Sequence, residues 1–242
     1  MFDLKGKTAL VTGSTQGIGF AIAKSLAEHG AIVYINGASS EEKVRNATQK
    51  IPNAYPAKCD LSLPNCADIL HDITGPIDIL VSNASIQIRN SWDKITDEEF
   101  EKQMAVNFRA SFKLIQKYAP HMIENNWGRI VTVGSVQEAK PHKDMLIYSA
   151  LKSAQTCMVM NLAKQFAPFG VTVNNVAPGV IDTPRNTDAL SDEEYKAKVL
   201  LGIPCGFAGE SEDCTAQTLL LCSEEGRYIT GENIFIDGGM KL

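Results

Sequence analysis

The chain is predicted to fold as one α/β domain, a doubly wound, seven-stranded parallel sheet with helices on both faces. Three observations predict it. Short apolar runs of strand length, such as Thr8-Ala9-Leu10-Val11 and Ile77-Asp78-Ile79-Leu80-Val81, recur along the whole sequence. Between them lie longer stretches whose apolar residues repeat at helical spacing. The 242 residues, 44% apolar and 21% charged, have the composition of an ordinary globular domain and show no break that would mark a second one.

Composition also excludes classes of function. A net charge of -5 with no long basic run argues against a nucleic-acid or anionic-membrane partner. No apolar stretch approaches the ~20 residues of a membrane span. The sequence runs from Met1-Phe2-Asp3-Leu4 straight into a strand, without a charged-then-apolar leader, so a cytoplasmic location is expected. Its six cysteines include no C-x-x-C pair. They read as buried or idle thiols of a reducing compartment, and no metal site is expected.

The first strand, Thr8 to Thr12, ends at Gly13, and after Gly19 the residues Ala21, Ile22, Leu26 and Ala27 mark a helix. The turn between them, Gly13-Ser14-Thr15-Gln16-Gly17-Ile18-Gly19, has the order G-x-x-x-G-x-G. Glycines suit such a turn because the backbone must bend tightly and let a pyrophosphate approach the N–H groups at the helix start. His29-Gly30 closes the helix and Ala31 to Ile35 forms the next strand, completing the βαβ unit of a Rossmann dinucleotide site. An acidic residue after that strand would bind a ribose 2′-hydroxyl and repel a 2′-phosphate. The sequence has Asn36-Gly37-Ala38-Ser39-Ser40 there, so NADP is favoured over NAD, although no Arg or Lys stands nearby. Ser39-Ser40 also reads as a helix N-cap ahead of Glu41 and Glu42, and the two readings are compatible.

The third strand, from Ala54 to Ala57, ends at Cys59-Asp60-Leu61, and Pro64 to Ile73 is helical. The fourth, Ile77 to Val81, is followed by Ser82-Asn83-Ala84-Ser85, where small residues allow close approach of a cofactor. Thr96-Asp97-Glu98-Glu99 fits a capping box and starts a long helix whose Phe100, Met104, Phe108, Phe112 and Ile115 are spaced for one face. Asn107 lies inside it and needs a polar partner, because an unpaired buried amide costs about 1–3 kcal/mol. The fifth strand, Gly128 to Val133, ends at Gly134-Ser135. Ligands of open parallel sheets bind outside the carboxyl ends of strands, which places Ser135 well. A helix from about Leu146 to Phe169 then carries Tyr148 and Lys152, four residues apart and on one face. An ammonium beside a phenol stabilises the phenolate, which moves an ordinary value of ~10 toward the range where acid-base catalysis works. The sixth strand covers Val171 to Val176 and the seventh Ile234 to Ile236. Between Thr183 and Gly209 the chain is polar and irregular, with an acidic helix around Ser191 to Leu201 in which Val199, Leu200 and Leu201, with Ile203, are expected to pack.

These motifs together resemble the classical short-chain dehydrogenase/reductases: the glycine turn, Asn83-Ala84, Asn107, Ser135, Tyr148-x-x-x-Lys152 and Pro178-Gly179, in that order along the whole chain. The resemblance implies that Tyr148 is the acid or base at the carbonyl oxygen and that Lys152 lowers its pKa and holds the nicotinamide ribose. It further implies that Ser135 hydrogen-bonds the substrate oxygen and that Asn107 anchors a water linking Lys152 to solvent. Asp60, with Leu61, would meet the adenine, Asn83 and Ala84 would support the cofactor, and Ile181 with Thr183 would hold its carboxamide and phosphates. The stretch at about 183–209 would be a lid over the substrate. The long helices at about 96–125 and 146–169 would be the faces of a homotetramer. One departure stands out: the usual Asn-Asn-Ala-Gly is here Ser82-Asn83-Ala84-Ser85, so the final Gly has gained a side chain.

The substrate is expected to be a small-molecule carbonyl or alcohol. The loop from Val136 to Ile147 should wall its pocket, with Gln137, Glu138, His142, Lys143 and Met145 as candidate contacts, Gln137 and His142 foremost. The loop is polar, and Lys140, His142 and Lys143 could attract a carboxylate. The sequence also resembles enzymes of sugar, polyol and sugar-acid metabolism, the gluconate dehydrogenases nearest. Two other readings stand beside it. One is a 3-oxoacyl-carrier-protein reductase, for which Arg109 and Arg129 are the only docking arginines at hand. The other is a catalytically silent nucleotide-sensing scaffold.

Overall fold

The structure, a computed structural model, describes residues 2–187 and 191–242. Seven parallel strands form one sheet in the order β3-β2-β1-β4-β5-β6-β7: β1 (Thr8–Val11), β2 (Ile32–Gly37), β3 (Ala54–Lys58), β4 (Ile79–Ser82), β5 (Gly128–Val133), β6 (Val171–Pro178) and β7 (Asn233–Ile236). The strand order reverses between β1 and β4, which pair through Ala9 and Ile79. Side chains alternate between the two faces of each strand. Ala9, Val11, Ile79, Val81, Val131 and Val133 therefore pack into one apolar layer, while Leu10, Leu80, Ile130 and Val173 pack into the other.

Helices cover both layers. α1 (Gly17–Glu28), α2 (Glu41–Thr48) and the C-terminal α8 (Thr215–Cys222) bury Ile22, Leu26, Ala47, Leu219 and Leu221 on the first. α3 (Cys66–Thr74), α5 (Ala110–Glu124) and α6 (Leu146–Phe166) bury Leu70, Leu114, Tyr118 and Val159 on the second. The short α7 (Glu193–Leu200) stands outside both layers and has no fully buried residue. Among the described residues no helix is long and apolar enough to cross a membrane, and no group of three metal-ligating side chains occurs.

α4 (Asp97–Met104) begins with the expected capping box, in which Thr96 accepts from the Glu99 N–H and Glu99 accepts from the Thr96 N–H. It does not continue into α5 as one regular helix. Residues Ala105–Arg109 form a π turn, whose wider winding rotates the helix that follows. The expected apolar face is corrected on both sides of that turn, Ile115 being the one of its five residues that is fully buried. Phe100 and Phe112 are exposed, and the residues turned to the core are Gln103, Asn107, Ala110, Leu114 and Ile115. One further expectation is corrected: Leu201 projects into solvent while Ile203 packs. All six cysteines are free, with Cys157 and Cys205 exposed and the other four buried.

Candidate active site

The carboxyl ends of the strands open into a cavity of about 980 Å³ that runs from the glycine turn to the start of α6. At its floor the turn is fastened to the end of β4. The Thr12 hydroxyl accepts from the N–H groups of Asn83 and Ala84 at 2.9 and 3.0 Å, and the Asn83 amide donates to the carbonyls of Thr12 and Gly13 at 2.8 and 3.1 Å. Gly13 has φ +61° and a Cβ there would lie 2.8 Å from the Ala84 Cα, while a Cβ on Gly19 would overlap the Asn83 amide. Gly17, with φ +58°, is different: a Cβ on it would meet only the Thr183 side chain, at 3.4 Å. The N-cap Gln16 makes no side-chain cap bond and the first turn of α1 has no acid. The N–H groups at that helix start are thus left without a side-chain partner, where Gln16, Gly17, Ile18 and Gly19 line the cavity. This donor set fits a pyrophosphate.

Thr15 also lines the cavity, but Ser14 does not, which corrects the expectation that it contacts the cofactor. Its hydroxyl is fully buried, donating to the Val11 carbonyl at 2.6 Å and accepting from the Asn36 N–H at 3.0 Å. Asn36 reaches the cavity wall, yet its amide is engaged in the frame: Oδ1 accepts from the Gly13 N–H and Nδ2 donates to the carbonyls of Ala57 and Cys59. Beyond it Ser39 lies exposed on the rim and Ser40 caps α2 by accepting from the Lys43 N–H. Both expected roles of that pair are therefore compatible with the geometry. Asp60 and Leu61 line the same end, with the Asp60 carboxylate accepting from the Ser62 N–H at 2.9 Å. Pro178, Gly179, Ile181 and Thr183 line the opposite wall.

At the far end Ser135 and Tyr148 line one wall, both largely buried. Ser135 leaves β5 with extended backbone and its hydroxyl accepts from the Gln137 N–H at 3.2 Å. Gln137 fixes the loop further, accepting from the His142 N–H at 2.7 Å, and both Gln137 and His142 line the cavity. Lys152 lies one turn beyond Tyr148, behind the wall, with Nζ 5.7 Å from the Tyr148 ring centre and donating to the Val133 carbonyl at 2.6 Å. Burial, then the charge of Arg185, pull its pKa from 10.5 to about 7, with Glu138 opposing. Asn107 does not line the cavity either. Its amide clasps Ile86, accepting from the N–H and donating to the carbonyl at 2.8 Å each, so its side chain secures the loop after β4.

Several cations of the cavity wall were not foreseen. Arg89, Lys102, Arg185 and Lys198 line the cavity with Lys140. They come from separate segments of the sequence, so only the fold gathers them. The basic trio that the sequence did suggest is partly neutralised, because Lys143 pairs with Asp144 at 2.9 Å and His142 stands 4.0 Å from the same carboxylate. Arg129 is buried at the opposite end of β5 and cannot dock anything. Ser85 faces the cavity, and its side chain takes up a hydrogen bond from Arg185 instead of merely crowding the site.

A pyrophosphate cradle at one end and a phenol, a hydroxyl and an amine at the other define a dinucleotide-dependent oxidoreductase acting on CH–OH and carbonyl groups. Sequence comparison places it within that class. Residues 13–241 match a family model described as enoyl-(acyl carrier protein) reductase. The chain is 34% identical over 249 residues to 3beta-hydroxysteroid dehydrogenase 1 of Eggerthella lenta, covering 99% of this chain and 95% of the other. Among solved structures, a 3-oxoacyl (acyl-carrier-protein) reductase from Agrobacterium tumefaciens C58 with NADP bound superposes with a TM-score of 0.94 at 36% identity, covering 98% and 95% of the two chains. A gluconate 5-dehydrogenase from Burkholderia cenocepacia J2315 in complex with NADP and tartrate gives 0.90 at 31% identity, covering 99% and 96%. The chain belongs to the short-chain dehydrogenase/reductase family.

Proposed function

We propose that the chain interconverts a secondary alcohol and a ketone on a small, polar, acid-bearing substrate of the sugar-acid class, with NADP as its cofactor. The observation that carries this reading is the charge of the cavity wall. Arg89, Lys102, Lys140, Arg185 and Lys198 line it, and Asp60 at the adenine end is the only carboxylate to do so among the described residues. In a chain of net charge -5 such a wall favours an anion. The neighbour that holds NADP and tartrate, a hydroxy diacid, supports the same class.

In this reading NADP, when bound, supplies or accepts the hydride. Gly17, Ile18 and Gly19 hold its pyrophosphate, Ser39 meets the ribose 2′-phosphate, and Asp60 with Leu61 meets the adenine. Tyr148 donates its O–H to the carbonyl oxygen, Ser135 hydrogen-bonds that oxygen, and Lys152 holds the ribose and the charge beside Tyr148. Asn107 keeps Ile86 and the loop after β4 in place. Tyr195, Lys198, Val199 and Gly202 reach the cavity from the 183–209 stretch, whose described residues act as its lid, 188–190 lying outside them. The exposed Phe100, Phe112 and Met160 suit the helix faces of a homotetramer, and a cytoplasmic enzyme is the natural setting for both cofactor and substrate.

Initial rates of NADPH and NADH oxidation with a keto-sugar acid, a neutral ketose, a diketone and a 3-oxoacyl thioester test the reading. Fast turnover of the keto acid with NADPH is expected. Preference for the thioester would move the chain to the second reading, an acyl-carrier-protein reductase, which the Agrobacterium neighbour favours.

A further inference from the structure

Among the cations of the cavity, Arg185 is held in a way the others are not. Its Nη1 donates to the Ser85 hydroxyl at 2.9 Å and its Nη2 to the Ser85 carbonyl at 2.6 Å, joining two segments that lie 100 residues apart in sequence. Two of the five guanidinium N–H groups are thereby engaged, and among the described residues the other three have no partner. No carboxylate pairs with Arg185 among the described residues. Its charge is felt at Lys152, which puts it toward the catalytic end of the cavity. A planar cation already fixed on one edge loses little freedom when a carboxylate docks on another.

We propose that Arg185, clamped by Ser85, receives the carboxylate of the substrate and so determines specificity for acids over neutral ketones. The inference rests on the sugar-acid reading and deepens it. It also gives Ser85 a purpose: a glycine there would keep the carbonyl contact and lose the hydroxyl one, leaving the guanidinium free to swing. The same anion chemistry could come from the cofactor's pyrophosphate, since Thr183, two residues earlier, stands beside Gly17. The experiment separates the two sources.

The ratio of kcat/KM for a keto-hexonate to that for the ketohexose of the same chain length is measured with NADPH for the wild type, Arg185→Met, Arg185→Lys and Ser85→Gly. The affinity for NADPH alone is followed by fluorescence. Arg185→Met is expected to lower the acid-to-ketose ratio about 50-fold, the loss of one charge-assisted, two-pronged contact, with Arg185→Lys in between. Ser85→Gly is expected to lower it about 5-fold, through KM more than kcat. If the wild type shows no preference for the acid, the functional reading and this inference both fall. If the wild type prefers the acid and Arg185→Met keeps that preference, only the inference falls. A tenfold loss of NADPH affinity with the ratio unchanged would assign Arg185 to the pyrophosphate and likewise overturn it. Should Arg185→Met not fold, Ser85→Gly decides alone, an unchanged ratio counting against the proposal.

Discussion

Two cations sit at opposite ends of β5, and both are almost sealed from water: Arg129 is 1% exposed and Lys152 is 2% exposed. Arg129, near the start of the strand, uses four of its five N–H groups. It donates to the carbonyls of Gly128, Gly170 and Ser223, pairs with Glu224 at 3.2 Å, and stacks on Trp127 with the guanidinium 4.4 Å from the ring centre. Burial lowers its pKa and Glu224 pulls it back. Lys152 has the carbonyl of Val133 at the end of the strand as its one hydrogen-bond acceptor among the described residues. Burial is equal and coordination is not. A buried charge with nearly every donor used is a structural bolt, whereas one with most of its donors to spare is waiting for a ligand.

The comparison can be broken most sharply by activity. Lys152→Met and Tyr148→Phe are expected to lower turnover on the order of 10³-fold, the worth of a general acid, while Tyr148→Phe keeps its NADPH affinity. Near-normal rates in either variant would end the assignment. Arg129→Met should do the reverse. Orphaning three carbonyls and an acid is expected to cost about 3–5 kcal/mol in urea unfolding, with kcat per folded molecule changed less than about 2-fold. A stable Arg129→Met would remove the distinction drawn here.

A smaller effect sharpens it through pH. Burial holds Lys152 at about 7 in the folded chain, against 10.5 for a free lysine. Below about 7 both states are protonated and the fold carries the full cost of the buried charge. Between about 7 and about 10 the unfolded chain binds a proton that the folded chain has released, so stability rises with pH. With no ligand added, wild type should therefore gain on Lys152→Met between pH 6 and pH 9 in paired urea titrations. A gap that stays constant would mean Lys152 keeps its proton in the fold. The smallest expected effect is at Thr172 on β6, whose buried hydroxyl has no partner among the described residues. Thr172→Val should raise stability by about 0.5–1 kcal/mol, since it removes an unpaired polar group at equal volume.

The strands, the glycine turn and the Tyr148–Lys152 helix were legible because each is a local pattern: a period, a cap, a fixed spacing. What the sequence hid depends on geometry over distance. Arg129 read as a docking residue because nothing local announces that Ser223 and Gly170 supply its acceptors. Arg185 lies in a stretch with no period at all, and its partner is 100 residues away. The face of the helix after Thr96 is hard to read because a π turn at Ala105–Arg109 leaves no sequence mark yet changes the phase of α5 against α4, and because the polar Gln103, not Phe100, takes the core side of α4. Ser14 lies in the right motif but points the wrong way, its hydroxyl claimed by the Val11 carbonyl.

The fastening of the glycine turn to the end of β4 bears on how such an enzyme diversifies. Gly13 cannot acquire a side chain without displacing Ala84, nor Gly19 without displacing Asn83, so this part of the gene is closed to drift. Ala38 and Ser39 at the tip of β2 are exposed and carry no such obligation. On the proposed placement of the 2′-phosphate, a change of cofactor preference would be written at that tip, leaving the older text of the pyrophosphate turn unaltered.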